Sequence, residues 1–205
     1  MSNISESGIW LFEAQGSKEH WFDSTVASKL IDLAKTINPD MIYDFGCGEG
    51  KYTKNFIENG FKAKGFDGNP STKNIPNCTT QDLTDASFSL DPVDFLLTLE
   101  VAEHVPKHLE ERLTQTIHRH VKPGGYLVLS WAVEGQPGLG HVNCRNNDYV
   151  IRKFEDLGYD YKKEESETLR KDAKMFWFRN TIMVFKKRYR TMTSGCIIID
   201  SNYPE

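Results

Sequence analysis

The feature that most constrains this chain is the stretch DFGCGEG, residues 44–50, in which three glycines fall within five positions. Glycine adopts backbone conformations that other residues avoid and lets the chain approach a ligand closely. The stretch begins at the end of the apolar run MIYDF, residues 41–45, and is followed by KYTKNFIENG, residues 51–60. It therefore predicts a short buried strand, a ligand-binding loop and a helix, in that order.

Two phosphate-binding motifs do not fit this loop. In a P-loop the first glycine would fall at Phe45, and Tyr52 stands where a Ser or Thr hydroxyl is needed. In a dinucleotide fingerprint the third glycine would fall at Lys51. Asp44 and Glu49 would also repel a pyrophosphate, because like charges would be brought together. The loop favours a neutral or cationic ligand.

The rest of the chain alternates apolar strands with amphipathic helices, which predicts an α/β fold with a doubly wound, mostly parallel sheet. The predicted helices are 21–37, which Pro39 ends, 51–60, 107–120 and 147–158. The predicted strands are 41–45, 61–67, 93–99 and 126–132, a short piece before 81–85, two late strands near 159–169 and 178–187 that form an antiparallel pair, and a short strand in the tail 195–205. Ligands of such sheets bind beyond the carboxyl ends of the strands, so residues directly after each strand are the site candidates.

Acidic residues stand at two of these strand ends. Asp67 lies 21 residues after Gly46, where a carboxylate can accept both hydroxyls of a ribose. Asp82 lies 15 residues further on, before the apolar Leu83, where it can accept a hydrogen bond from an exocyclic amine such as that of adenine. The two acids of the glycine loop suit an ammonium or a sulfonium. Together these positions describe a ligand with adenosine at one end and positive charge at the other, which S-adenosylmethionine satisfies.

Composition narrows the class of protein further. The 205 residues are 39% hydrophobic, which predicts one domain over 1–205, and the net charge of −4 disfavours a nucleic-acid substrate. The four cysteines form no CxxC pair, which argues against a structural zinc site or a disulfide framework. The N-terminus shows no signal peptide and no apolar run approaches the ~20 residues that span a bilayer, so we expect a cytoplasmic protein in a reduced compartment, with no membrane partner.

The segments DFGCGEG, FDGNP, QDLTD, LTLEVAEHVP and VKPGGYLVLSWA together resemble the class I S-adenosylmethionine-dependent methyltransferases over roughly residues 20–188. The resemblance implies a Rossmann-like seven-stranded sheet with an antiparallel last strand, S-adenosylmethionine as cofactor and S-adenosylhomocysteine as product. In this family the glycine loop wraps the methionine part, the second acid holds the ribose, and the fourth strand ends beside the sulfonium. The cofactor-binding residues it implies here are Asp44, Gly46, Cys47, Gly48, Gly50, Asp67, Gly68, Asn69, Asp82, Leu83 and Glu100.

A narrower resemblance concerns the acceptor. The segments LEVAEHVP, SWAVEGQPGLGHVNCRNNDYVIRKFEDLGY and FWFRNTIMVFKK are similar to small methyltransferase domains of sugar and glycan modification, some of them from large algal viruses. This resemblance implies transfer to a hydroxyl of a deoxysugar such as rhamnose. Two alternatives stay open: a methyltransferase for a protein side chain, a quinone or a small amine, and a cofactor-binding module without activity.

Transfer to a sugar hydroxyl needs a group that takes up its proton, because the pKa of the hydroxyl lies far above 7. His141, in the Gly-rich loop 135–147, and His104, after the fourth strand, are the candidate catalytic bases. We expect the loop to cover the acceptor and to bring in His141 or Arg145, and the face of Trp131 to stack on a sugar.

No metal ion is expected from the sequence. His104 and His108 are four residues apart, but Pro106 lies between them and spoils a shared helical face, and the HExxH pattern is absent. The two ends of the chain are expected to be a lid over the cofactor or a docked segment at 1–20, with His20 or Trp21 near the methionine part, and a C-terminal extension at 189–205.

Overall fold

The structure, a computed structural model, describes residues 3–11, 21–193 and 196–200. The strands of its main sheet are β1 (Ile42–Phe45), β2 (Ala63–Asp67), β3 (Cys78–Thr80), β4 (Val93–Thr98), β5 (Val121–Leu129), β6 (Tyr159–Tyr161) and β7 (Met183–Lys187). The α-helices are α1 (Ser24–Ile37), α2 (Lys51–Glu58), α3 (Glu110–His120), α4 (Asn147–Asp156), α5 (Lys163–Arg170) and α6 (Phe178–Thr181). Short 3-10 helices cover Pro70–Asn74 and Lys107–Leu109.

The seven strands stand in the order β3-β2-β1-β4-β5-β7-β6. The pairs from β3 to β5 are parallel, whereas β7 runs antiparallel to both β5 and β6. The chain winds outward from β1 to β3 and then returns to β4 on the other side of β1. This confirms the predicted Rossmann-like sheet with an antiparallel last strand, and it places the switch point, where such sheets bind ligands, between β1 and β4.

Apolar side chains alternate between the two faces of the central strands. Ile42, Phe95 and Leu97 belong to the core cluster on one face, together with side chains of α1 and α2. Phe45 and Leu96 belong to the cluster on the other face, together with side chains of α3 and α4. A strand that is covered on both faces needs mostly apolar residues, which explains why β1 and β4 are largely apolar apart from Asp44, Asp94 and Thr98.

The first helix has clear local boundaries. The Asp23 carboxylate accepts the N–H groups of Thr25 and Val26 and so caps the start of α1. Asn38 takes a left-handed conformation with φ of 53° at the other end, directly before Pro39. The predicted stop at Pro39 is confirmed.

The prediction of two long late strands is wrong in its extent. Only Tyr159–Tyr161 is extended in the first of them, and the following residues form α5, which buries Ser166 and Leu169. The sequence KEESETLR has Glu side chains in its first turn and Arg170 in its last, which complements the helix dipole. In the second, residues 178–181 form α6, so β7 begins only at Met183.

The predicted strand in the tail is confirmed. Strand β8 (Tyr189–Thr193) pairs antiparallel with β9 (Cys196–Asp200) in a ladder separate from the main sheet. Cys47, Cys78 and Cys144 are free thiols. Among the described residues, no helix combines the length and the apolar character that crossing a membrane requires.

Candidate active site

A cavity of about 340 Å³ lies at the carboxyl ends of the central strands. Its walls come from the segments after β1, β2, β3 and β4, from the loop 136–141 after β5, and from residues 7–10. Its volume falls within the ~300–1,000 Å³ typical of small-molecule sites. Ten predicted cofactor residues line it: Asp44, Gly46, Cys47, Gly48, Asp67, Gly68, Asn69, Asp82, Leu83 and Glu100.

The glycine loop takes a conformation that other residues would resist. Gly46, Gly48 and Gly50 have φ of 79°, 52° and 70°. A Cβ at Gly46 would lie 2.1 Å from the Cγ2 of Val101, so only a glycine fits there. Gly50 differs from the other two because it does not line the cavity. It stands at the N-cap of α2, where a Cβ would lie 2.9 Å from the Sγ of Cys78.

The carboxylate of Asp67 joins the end of β2 to the glycine loop. Its Oδ2 accepts the N–H of Gly48 at 2.9 Å, and its Oδ1 accepts the N–H of Asn69 at 2.8 Å. Each carboxylate oxygen has a second lone pair, so Asp67 can hold the loop and still accept hydroxyl groups of a ligand.

The second predicted acid closes the far end of the cavity. The Oδ1 of Asp82 accepts the N–H and the hydroxyl of Thr84, at 2.8 and 2.7 Å, which leaves Oδ2 for other donors. The neighbouring Leu83 is buried and presents an apolar wall. An apolar wall beside a carboxylate suits a flat ring that carries an amino group.

The lining of the cavity is rich in carboxylic acids. Five carboxylic acids belong to its lining: Asp44, Glu49, Asp67, Asp82 and Glu100. Among the described residues, the lining contains a single Lys or Arg, which is Lys51, and its ammonium forms an ion pair with Glu49. Glu49 is therefore partly neutralised, but the cavity as a whole attracts cations and repels phosphates, as the glycine loop predicted.

Asp44 is buried at the bottom of the cavity. Its Oδ2 accepts the N–H of Thr53 at 3.1 Å and the hydroxyl of Thr53 at 2.7 Å. Burial raises the pKa of Asp44 to about 7, and the hydrogen bonds from Thr53 offset only part of this effect. Asp44 consequently changes its charge near neutral pH.

Replacement of Asp44 by Asn should flatten the pH dependence of stability. The folded protein binds the Asp44 proton up to pH of about 7, whereas the unfolded chain releases it near ~4, so stability falls as pH rises between these values. A shift of roughly three pKa units corresponds to about 4 kcal/mol. We expect urea unfolding at pH 4 and pH 8 to show the wild type losing about that much relative to Asp44→Asn. Parallel pH curves for the two proteins would contradict the raised pKa.

Glu100 stands in a strained conformation at the end of β4. Its φ of 55° lies in the left-handed region, which costs a residue with a side chain about 1–3 kcal/mol. Ser130, at the end of β5, accepts the N–H of Glu100 and donates its hydroxyl to Oε1, both at 2.7 Å. Burial raises the pKa of Glu100, and the hydrogen bond from Ser130 opposes that rise. Strain of this kind is concentrated at functional sites.

Glu103 is a site feature that the sequence analysis missed. Its side chain is completely buried behind the cavity wall, and neither carboxylate oxygen makes a hydrogen bond of good geometry within the described residues. Burial raises the pKa of Glu103 well above its usual range, and the carboxylate of Glu100 raises it further. The signal that could have revealed it is an acid directly before His104, just after a strand end.

The two predicted bases lie together. The rings of His104 and His141 are 5.0 Å apart between centroids and meet edge to face, and both residues line the cavity. The Nδ1 of His104 is 3.3 Å from the carbonyl oxygen of Gly140, and the Nδ1 of His141 is 3.1 Å from that of Gln136. The structure thus brings together two imidazoles that are 37 residues apart in the sequence.

The Gly-rich loop is anchored at its far end. The N–H groups of Val142 and Asn143 donate to the carbonyl oxygen of Glu103, at 2.9 and 3.0 Å. The indole N–H of Trp131 donates to the carbonyl oxygen of Asn143 at 2.6 Å. These bonds hold residues 136–141 against the cavity.

The two predicted acceptor contacts differ from the structure. Trp131 is only 1% exposed and does not line the cavity, because its indole packs in the core and anchors the loop. Arg145 also lies outside the lining, because it donates to the Oε2 of Glu110 at 3.0 and 3.1 Å. Burial alone would raise the pKa of Glu110, but hydrogen bonds from Tyr149, Asn143 and two basic side chains lower it to about 2. Both residues support the loop.

Residues 3–11 lie across the cavity. Ile4 and Trp10 form an isolated antiparallel bridge, and the Trp10 ring meets the His104 ring edge to face at 5.0 Å. The side chain of Ile9 fills the space beside Gly68, where a Cβ would lie 2.4 Å away from it. Of the residues predicted near the methionine part, His20 lies outside the described residues, whereas Trp21 lines the cavity.

Aromatic side chains form the outer rim of the cavity. Trp21 is 56% exposed and meets the ring of Trp177 edge to face, with centroids 6.2 Å apart. Phe176, which is 65% exposed and lies just outside the lining, also meets Trp177 edge to face, and Leu139 is 52% exposed in the loop 136–141. Sequence reasoning did not assign Trp177 and Phe176, because aromatic residues near a strand are more often part of the core.

A family model described as a methyltransferase domain matches residues 19–170. No curated protein sequence matches the chain. Solved structures match in fold at low identity. One is TehB from Haemophilus influenzae, with 16% identity, a TM-score of 0.55, and coverage of 78% of this chain but only 62% of that one.

Two further solved structures contain a cofactor product. The magnesium protoporphyrin IX methyltransferase (ChlM) from Synechocystis PCC 6803, with bound SAH, has 17% identity and a TM-score of 0.59, over 80% of this chain and 82% of that chain. The 1,6-didemethyltoxoflavin-N1-methyltransferase from Burkholderia thailandensis, with bound 1,6-didemethyltoxoflavin and S-adenosylhomocysteine, has 13% identity and a TM-score of 0.54, over 80% and 78%. At this identity the likeness concerns the fold.

Proposed function

This chain belongs to the methyltransferase domain family, and from that premise we propose that it transfers a methyl group from S-adenosylmethionine to a hydroxyl oxygen of a sugar. The single observation that carries the cofactor assignment is the acidic cavity that the glycine loop encloses at the switch point of the sheet. S-adenosylmethionine combines an adenosine with an ammonium and a sulfonium, and such a ligand matches this charge.

The residues present fit this cofactor. Asp67 can accept the two ribose hydroxyls while it holds Gly48, and Asp82 with Leu83 can frame the adenine. Asp44 and the glycine loop would surround the amino-acid part. When bound, S-adenosylmethionine supplies an activated methyl group: the acceptor oxygen forms the new bond as the carbon–sulfur bond breaks, and sulfur keeps the electron pair.

The acceptor is proposed to lie at the opposite end of the cavity, where His104 and His141 meet. Both imidazoles line the cavity, and either one can take up the proton of an acceptor hydroxyl. Residues 3–11 are proposed to act as a lid, because Ile9 and Trp10 contact both halves of the cavity. A lid excludes water, which would compete with the acceptor.

The sugar assignment rests on the resemblance to sugar-modifying methyltransferase domains and on the aromatic rim. Indole faces such as those of Trp21 and Trp177 bind the apolar faces of sugars. The same rim favours a second candidate, a planar aromatic acceptor, and two solved relatives in fold act on a porphyrin and on a toxoflavin precursor. A basic surface that would favour nucleic acid is not expected at a net charge of −4, and we propose a cytoplasmic enzyme.

The proposed function is tested by binding and transfer on the same preparation. Calorimetry with S-adenosylhomocysteine should show one site, and tritiated S-adenosylmethionine should label a panel of free and nucleotide-linked deoxysugars. A parallel panel of phenols and quinols covers the second candidate. Binding without transfer to any acceptor would support a cofactor-binding module, and absence of binding would overturn the proposal.

Replacement of His141 by Gln should separate the two halves of the site. We expect turnover to fall at least 100-fold, because a positioned proton acceptor contributes about 10²–10⁴. The affinity for S-adenosylhomocysteine should change by less than threefold, because His141 lies at the acceptor end. His108→Gln is the matched control, since His108 is exposed and lies outside the cavity lining. Equal turnover of the two variants would remove His141 from the reaction.

A further inference from the structure

The carboxylate of Glu103 is an anomaly in this structure. It is completely buried, and within the described residues neither of its oxygens has a hydrogen bond of good geometry. Its polar neighbours are the Glu100 carboxyl and the backbone N–H groups of Glu103 and Ala132. A buried carboxylate that is so weakly supported is costly, and such groups are usually paired or bind a metal ion. The described neighbourhood supplies no Lys or Arg ion pair for Glu103, whereas the buried Glu110 has Arg145 and Lys153.

Two imidazoles stand beside this carboxylate. His104 and His141 each direct Nδ1 toward a backbone carbonyl oxygen, that of Gly140 and that of Gln136. A neutral imidazole that donates from Nδ1 keeps a lone pair on Nε2, which is the form that binds metal ions. A carbonyl acceptor behind a histidine is also the usual outer partner of a metal-binding imidazole, because it fixes the tautomer and the ring orientation.

The three side chains lie close together. One ligand atom from each of Glu103, His104 and His141 can be chosen so that all three lie within 4.8 Å of one another. Ligands of a tetrahedral ion at about 2.0–2.2 Å stand roughly 3.3–3.6 Å apart, so these atoms would have to approach one another by up to about 1.5 Å on binding. We propose that these three residues bind one divalent transition-metal ion, such as Zn²⁺, at the acceptor end of the cavity.

Two nitrogen ligands and one oxygen ligand suit Zn²⁺ or Co²⁺ better than Mg²⁺, which prefers oxygen ligands alone. Three protein ligands leave a fourth position for water or an acceptor, as in catalytic zinc sites. Because His104 and His141 line the cavity, that position faces the acceptor.

The role of the ion rests on the proposed function, although its binding does not. An acceptor hydroxyl in the open position would lose its proton to solvent more readily, because the ion stabilises the alkoxide. The two imidazoles would then hold the ion, and neither would be the final proton acceptor. In this arrangement the sugar hydroxyl could be deprotonated without a side chain that acts as the base.

The sequence did not reveal this site because its third ligand comes from a distant loop. The sequence suggested His108 as the partner of His104 in a metal site, but His108 is exposed and does not belong to the group of possible ligands. The structure instead joins Glu103 and His104 to His141, through the loop that donates two N–H groups to the carbonyl oxygen of Glu103. The same bonds that cover the cavity therefore complete the ligand set.

The test uses the full chain, stripped with a chelator and dialysed, and titrated with ZnCl₂ and with CoCl₂. We expect one ion per chain at micromolar or lower Kd, and visible absorption of the Co²⁺ form typical of a four-coordinate site. Glu103→Gln and His141→Asn should each weaken Zn²⁺ binding at least 100-fold. The control His108→Asn should bind Zn²⁺ like the wild type.

Calorimetry with S-adenosylhomocysteine on the same variants shows whether each one folds, because the cofactor half does not involve these ligands. Lack of metal binding by the wild type, or wild-type affinity in Glu103→Gln, would overturn the site and indicate that Glu103 shares a proton with Glu100 instead. Failure of the proposed function would appear differently, as loss of S-adenosylhomocysteine binding or of methyl transfer with metal binding intact.

Discussion

Replacement of Asp67 by alanine is expected to weaken the binding of S-adenosylhomocysteine at least tenfold. The substitution removes the carboxylate that accepts the N–H groups of Gly48 and Asn69. It also removes the proposed contacts between this carboxylate and the ribose. A hydrogen bond to a charged group contributes about 1.5–3 kcal/mol, so even one lost ribose contact accounts for a factor of ten or more. Isothermal titration at fixed pH measures the change directly.

The ribose contact can be separated from the effect on the loop by a double cycle. An analogue of S-adenosylhomocysteine that lacks the 2′-hydroxyl should bind the wild type more weakly than the parent compound, but should bind Asp67→Ala almost as well as the parent does. Asp85→Ala is a matched control, because Asp85 accepts the N–H and the hydroxyl of Ser87 in a similar turn that is exposed and outside the lining. If the wild type and Asp67→Ala show the same ratio of affinities for the two ligands, the ribose assignment is refuted.

Gly46→Ala should have the largest effect on the cofactor site. The new methyl group would lie 2.1 Å from the Cγ2 of Val101, and the backbone φ of 79° would be strained by any side chain. The loop must then move away from β4, which would displace Gly48 from Asp67. We expect at least a 100-fold loss of S-adenosylhomocysteine affinity in calorimetry, with a fall of about 1–3 kcal/mol in the free energy of unfolding.

Two further variants show whether backbone strain or the clash with Val101 causes the loss of affinity. Gly60→Ala introduces the same kind of strain, at φ of 89°, but a Cβ there meets nothing within 4 Å. It should lower stability by about 1 kcal/mol and leave the cofactor affinity unchanged. The double variant Gly46→Ala with Val101→Ala should recover part of the affinity, because it removes most of the clash. Wild-type affinity in Gly46→Ala alone would mean that the loop does not touch the cofactor.

Much of the fold could be predicted because local patterns and burial agree in the first two thirds of the chain. Strands β1 and β4 are covered on both faces, so their sequences are mostly apolar. Helix boundaries such as Asp23 and Asn38 follow from capping and backbone conformation. The late elements were less predictable, since α5 buries only Ser166 and Leu169 and therefore carries a weak apolar pattern.

The two halves of the candidate site also differ in how well the sequence predicts them. The cofactor half was predictable because its residues follow successive parallel strands, and the carboxyl ends of those strands must meet at one edge of the sheet. The acceptor half was predicted only in part. Trp131 and Arg145 were expected to touch the acceptor, but burial of the indole and the ion pair with Glu110 direct both of them to support the loop.

The sequence by itself determined the order of strands and helices from β1 to α4, the glycine loop with its acids, and so the class of ligand that the crevice admits. These are local properties, because they depend on the spacing of apolar residues, glycines and carboxylates along the chain. Only the tertiary structure decided that Glu103 is buried without a hydrogen bond of good geometry in the described part of the chain, and that His104 and His141 meet near it. The physical reason is that such proximity depends on how a loop folds back over the sheet, through backbone hydrogen bonds that any sequence could make.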